Sequence, residues 1–184
     1  ETEQRLEQRC AFCREPLPET QEEIDKMVME RVKKNDPLAM RKTGYKHQRE
    51  GDYETAIKYW AEAAELGDAG AHYNVSIMYM KGLVVEKDAE KEVYHLEKAA
   101  IGGHPGARHN LGYYEEENGN MERAVKHYII AANLGYEGSM KTLWAMFRNK
   151  NITKDDLDAT LRTHQAAIDE MKSPEREAAR TEWV

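Results

Sequence analysis

Three stretches of the chain repeat one another: Ala61 to Gly67 (Ala-Glu-Ala-Ala-Glu-Leu-Gly), Leu96 to Gly103 (Leu-Glu-Lys-Ala-Ala-Ile-Gly-Gly) and Tyr128 to Gly135 (Tyr-Ile-Ile-Ala-Ala-Asn-Leu-Gly). Each sets an Ala pair just ahead of a glycine stop. The pairs end at Ala64, Ala100 and Ala132, steps of 36 and 32 residues, and a weaker copy ends at Ala167, 35 further on. Self-similarity at a period in the thirties marks stacked repeats, whose neighbours share one continuous core. Such a stack usually serves as a binding surface, not as an enzyme.

Composition agrees. One third of the 184 residues are charged, which suits thin helical layers rich in solvent contact. A net charge of −7 and a pI near 5.6 provide no basic field for nucleic acid or an anionic membrane. No run approaches the roughly 18 to 20 apolar residues of a membrane span, and no secretory signal opens the chain. An intracellular, cytoplasmic protein is expected. The start at Glu1 without methionine and the charged run up to Val184 suggest a piece of a longer parent.

Residues 1–19 hold both cysteines and end in Pro16-Leu-Pro18, a leader separated by extended backbone. Thr20-Gln-Glu-Glu23 has capping-box spacing, and Ile24, Met27, Val28, Arg31 and Val32 follow at helical spacing. This predicts a capping helix within 20–34, covering the open end of a stack that spans 35–172. Four copies divide it at 35–68, 69–104, 105–137 and 138–172, and 173–184 form a tail or a further helix. Asp36-Pro37 starts the first pair, and Gly51-Asp52 stops one helix and caps the next. The later pairs are predicted at 71–81 with 88–101, 106–117 with 121–134, and 139–147 with 154–171. The longer loop 82–87, against Asn118-Gly-Asn120, accounts for the change of step.

The recurring residues have a packing reason. Ala39, Ala71 and Ala107, with Gly44, Ser76 and Gly112 five positions on, put small side chains on one face of each first helix. Trp60, Leu96 and Tyr128 then fill the space where the paired helix approaches, and Tyr79 and Tyr114 wedge between layers.

The stretch Ala-His-Tyr-Asn-Val-Ser-Ile-Met-Tyr-Met-Lys-Gly-Leu-Val-Val-Glu-Lys-Asp from Ala71 to Asp88, closed by Lys98-Ala-Ala-Ile-Gly-Gly103, resembles a Sel1-like repeat, a relative of the tetratricopeptide repeat. Copies two and three match that pattern closely, copy one partly and copy four faintly. Ser76 replaces a family Gly, Val84 a second loop Gly, and Val93 departs near a Lys-Ala position. The resemblance implies an all-α, right-handed solenoid of helix-turn-helix repeats that acts as an adaptor for protein or peptide partners. In the tetratricopeptide fold the concave groove is lined two, three, six and ten positions after the anchoring Ala. Carried over, this gives Arg41, Lys42, Tyr45 and Arg49 in copy one. Copy two supplies Tyr73, Asn74, Ile77 and Lys81, and copy three supplies His109, Asn110, Tyr113 and Glu117. Asn74 and Asn110 fall where relatives grip peptide backbone, and the Arg and Lys residues of copies one and two suggest an acidic or C-terminal peptide.

Cys10-Ala-Phe-Cys13-Arg-Glu-Pro-Leu-Pro resembles the closing Cys-Pro-x-Cys-Arg-x-Pro of a RING finger, with Ala11 in place of a Pro. The resemblance makes Cys10 and Cys13 zinc ligands in a longer parent, a RING-type ubiquitin ligase that would engage a ubiquitin-conjugating enzyme. A structural zinc site takes four ligands, so this chain alone carries no complete site and no cofactor is expected in it. A redox pair and two ordinary thiols remain alternative readings. His95 and His127 share a repeat position, while His47, His72, His104, His109 and His164 are scattered without ligand spacing; solvated or layer-contact roles are expected. No phosphate loop, nucleophile elbow or carboxylate pair placed for acid–base work is present, so no catalytic residue is assigned. Glu115-Glu-Glu117 reads as a solvated helix end, or as an acidic pocket rim.

Overall fold

A computed structural model describes residues 20–171. Among these the backbone forms nine helices and no strand: α1 (Gln21–Lys33), α2 (Pro37–Arg49), α3 (Tyr53–Glu65), α4 (Ala69–Lys81), α5 (Ala89–Ile101), α6 (Pro105–Glu117), α7 (Met121–Asn133), α8 (Glu137–Arg148) and α9 (Lys154–Met171). The protein is an all-α solenoid. Helices pair as α2 with α3, α4 with α5 and α6 with α7, and each pair packs on the next through α3–α4, α5–α6 and α7–α8.

Starts and stops are written in side chains. Thr20 Oγ1 accepts the Glu23 amide at 3.2 Å, and the carboxylates of Asp36, Asp52, Asp68 and Asp88 cap α2, α3, α4 and α5. At the stops the first alanine of each pair recurs. The carbonyls of Ala63, Ala99 and Ala131 accept the amides of Asp68, His104 and Tyr136 at 3.0, 2.9 and 3.0 Å. Gly67, Gly103 and Gly135 make this return possible with φ of 87°, 81° and 85°, in the left-handed region that costs glycine nothing.

Within each pair the small residue meets a large one. A Cβ on Gly112 would stand 2.8 Å from Tyr128 Cε1, and one on Gly44 would collide with the Trp60 indole. Trp60 and Tyr128 are buried at 0% and 1% exposure, with Trp60 Nε1 donating to the Arg41 carbonyl at 3.2 Å. In copy two the larger floor and smaller knob occur together: Ser76 is fully buried where the others have Gly, and Leu96 replaces the ring. The Ser76 hydroxyl donates to the Tyr73 carbonyl.

The ends differ from expectation. Only Val32 of the α1 stripe packs against the first core cluster, while Ile24 and Met27 remain 40% and 50% exposed. Ion pairs Lys46–Asp25 and Arg31–Asp36 help fix α1 in place. In the fourth pair Trp144 occupies the small-residue position, so that contact cannot form; the indole turns outward, and α9 packs on both α7 and α8.

Two stability changes follow. Gly44→Leu should lower the urea-unfolding free energy by about 1 to 3 kcal/mol by overpacking against Trp60, with Lys58→Ala, exposed on α3, as an unchanged control. Val84 has φ of 57° and is exposed, a strained state for a β-branched residue. Val84→Gly should therefore stabilise by about 0.5 to 1 kcal/mol, the relief of strain exceeding the entropy cost of glycine; a lower midpoint would contradict this.

Candidate functional site: a groove across three repeats

A cavity of about 760 Å³ is walled by the first helices of three successive pairs. Tyr45 comes from α2; Tyr73, Asn74, Ile77 and Lys81 from α4; and Asn110, Tyr113 and Glu117 from α6. The 3.6-residue period and the shared start of each helix put these positions on one side of the stack. Tyr45 is 38% exposed and Tyr113 59%, so the aromatic walls are open to solvent.

A hydrogen bond crosses the repeats. The Tyr45 hydroxyl donates to Asn74 Oδ1 at 3.0 Å, linking α2 to α4. Tyr73 and Asn110 face one another between α4 and α6, and burial is the main cause that raises the Tyr73 pKa. Asn74 is only 7% exposed, and its Nδ2 has no acceptor. A buried donor left unmade costs about 1 to 3 kcal/mol.

Four of the residues expected here lie elsewhere. Arg41 Nε sits 2.8 Å from Asp68 Oδ1, an ion pair between α2 and the cap of α4. Lys42 and Arg49 line a separate cleft of about 380 Å³ beside α1. His109 Nδ1 is 2.9 Å from Ser139 Oγ at the boundary with the fourth pair. The basic character inferred from copies one and two therefore does not reach the cavity: of those cations only Lys81 lines it, together with Glu92 and Glu117.

Glu92, Gln48 and Tyr114 also line the cavity. Glu92 was not anticipated because it belongs to α5, a second helix, whose first turn stands beside the last turn of α4. Tyr114, expected as a wedge, lines this cavity and another of about 830 Å³ on the other side of α6. The acidic run Glu115–Glu117 is not a simple solvated end. Glu115 is buried and pairs with Arg123 at 2.9 Å and Asn120 Nδ2 at 2.8 Å, and Glu116 accepts the Tyr128 hydroxyl at 2.9 Å.

The Sel1 repeat family matches at residues 37–68, 69–104 and 105–136, more than half of the chain. The chain belongs to the Sel1 repeat family. It is 28% identical to a Sel1 repeat protein from Oxalobacter formigenes of known crystal structure, with a TM-score of 0.67 over 80% of this chain and 64% of that one. A second crystal structure, the c5321 protective antigen of uropathogenic Escherichia coli, is 21% identical with a TM-score of 0.62, covering 90% of this chain and 37% of that one, a likeness of fold. Chitin synthase regulatory factor 4 of Schizosaccharomyces pombe is 29% identical over 96 residues, 52% of this chain and 15% of that protein. The chain thus spans under two thirds of the length of each of these relatives.

Cys10 and Cys13 lie outside the described residues. Among the described residues there is no group of three or more His, Cys, Asp or Glu placed to hold a metal ion. No described helix is long and apolar enough to cross a membrane.

Histidines serve the layers of this Sel1 stack. His72 Nδ1 and His95 Nδ1 stand 2.9 Å apart, one donating and the other accepting, beside a cavity of about 520 Å³ between α3 and α5. His104 Nδ1 accepts the Ala107 amide at 3.2 Å as the cap of α6, a role open only to an unprotonated nitrogen. Buried His164 meets the Ala132 carbonyl at 2.7 Å. Desolvation lowers the His95 pKa from 6.5 to about 4, helped by His72. It is also the main cause lowering His72, His104, His109 and His127.

Folded values below the unfolded value of 6.5 mean that the unfolded chain binds more protons in between. The stability is present above about pH 6.5 and is lost as pH falls toward about 4. Thermal midpoints measured from pH 7 to pH 4.5 should fall, and His95→Gln should flatten that fall. An equally steep fall in the variant would show that the pair does not contribute.

Proposed function

We propose that the chain is a non-catalytic adaptor that holds an extended segment of a partner protein in the groove across α2, α4 and α6. The observation that carries this reading is Asn74, which lines the groove with a buried, unpartnered Nδ2, and whose repeat-equivalent Asn110 lies on the same wall. An extended peptide offers carbonyls at regular intervals to such amides, while pockets between them take alternate side chains. Tyr45, Tyr113 and Tyr114 add amphipathic ring surface of the kind that anchors interfaces. The Schizosaccharomyces pombe relative is named a regulatory factor, and that name accords with action through binding.

A double Asn74→Ala/Asn110→Ala variant should lose partner binding while its helical circular dichroism shows that it remains folded. Unchanged affinity in a folded variant would remove the groove from consideration.

The Cys10-x-x-Cys13 motif favours a second reading, the substrate-recruiting arm of a RING-type ubiquitin ligase. In that reading both thiolates belong to a zinc finger whose remaining ligands precede Glu1, and the repeats recruit the protein to be modified. Zinc analysis of the protein read through from its transcript upstream of Glu1, with a ubiquitin-conjugation assay, distinguishes the two. Metal bound through Cys10 and Cys13 together with ligase activity supports the ligase; an inactive, zinc-free protein leaves the adaptor.

A further inference from the structure

We propose that the groove selects a peptide carrying a cationic side chain, arginine or lysine, whose charge is received by Glu92 and Glu117 beside the exposed rings of Tyr113 and Tyr114. The proposal rests on the groove reading above and adds the chemistry of the ligand to it. It also reverses the acidic ligand suggested by the sequence.

Glu92 is half-buried and lines the groove, and among the described residues no cation pairs with it. Burial alone raises its pKa, the signature of a carboxylate desolvated without compensation. Its neighbour in sequence, Lys91, is committed to Asp88 at 3.2 Å and lies over the Tyr79 ring. Glu117, in the last turn of α6, has no ion pair among the described residues either, whereas Glu115, Glu122 and Glu137 each have a cation partner. The charged groups on the groove wall are these two carboxylates and Lys81, so the wall is net negative.

Two features beside the carboxylates also point to a ligand. The unpartnered Nδ2 of Asn74 supplies a donor for backbone in the same groove. Tyr113 and Tyr114, 59% and 40% exposed, line the same groove as Glu117, and a guanidinium or ammonium is drawn to aromatic rings as well as to carboxylate. The whole chain carries −7, which steers cationic peptides toward it and acidic ones away. An acidic peptide would place a third carboxylate against two that already lack partners.

The test is a random-peptide phage display selection on the full chain, followed by fluorescence anisotropy with the enriched peptides. Enriched peptides should share an arginine or lysine. Replacing that residue with uncharged citrulline or norleucine should weaken binding about tenfold or more, as expected for a charge-assisted contact. Glu92→Gln/Glu117→Gln should cause a similar loss for the cationic peptide and leave the neutral analogue unchanged. The peptide-side substitution tests the charge even if the protein variant folds poorly.

Groove binders that are acidic or neutral would overturn the cation selectivity and leave the groove standing, provided Asn74→Ala/Asn110→Ala still abolishes their binding. The same holds for cationic binders indifferent to both substitutions. Enriched peptides that bind the Asn74→Ala/Asn110→Ala variant unchanged, or no enrichment at all, would overturn the groove reading itself and this inference with it.

Discussion

The close approach of two helices over a residue with little or no side chain is the contact on which the rest of the solenoid depends. Gly44 beneath Trp60 and Gly112 beneath Tyr128 leave no room for even one added carbon. Close packing of that kind fixes the pair as a unit, because a dense interior does not deform continuously. The Ala pair at the end of the second helix performs the next task. One of its carbonyls closes the glycine turn, and the residue that donates to it stands at the cap of the following helix. One motif thus ends a repeat and aims the next.

Repetition turns this local geometry into a surface. Because every first helix starts from the same turn, equivalent positions recur along one wall, and Asn74 and Asn110 fall in register. The bond from Tyr45 to Asn74 ties the wall of one repeat to the next. A ligand in the groove therefore meets groups already ordered by the stack, and less entropy is lost on binding than with free side chains. The opposite side is organised differently: there His72 and His95 occupy the seam between α4 and α5, held neutral by burial.

The fourth pair shows what happens when the rule lapses. Trp144 stands where the other copies have Gly or Ser, so the second helix cannot lie close across it, and α9 instead reaches back to α7. His164 bonds the Ala132 carbonyl across that contact. The family match ends at residue 136, before this departure.

The sequence by itself determined the helices, their caps and their pairing. These depend on local chemistry, such as the Asp caps of α2 to α5 and the glycines after α2 to α7, and on a period that can be counted. The resemblance to the tetratricopeptide fold named Tyr45, Asn74, Asn110 and Tyr113 for a groove, and all four line the cavity across α2, α4 and α6. Tertiary structure alone decided the charge of that wall. Arg41 is drawn to Asp68, Lys42 and Arg49 turn toward α1, and Glu92 enters from a helix that the repeat pattern assigns to the back. Where a long charged side chain goes depends on which partner lies within its reach, and for Arg41 that partner is 27 residues away in sequence. No spacing rule along one helix contains that information.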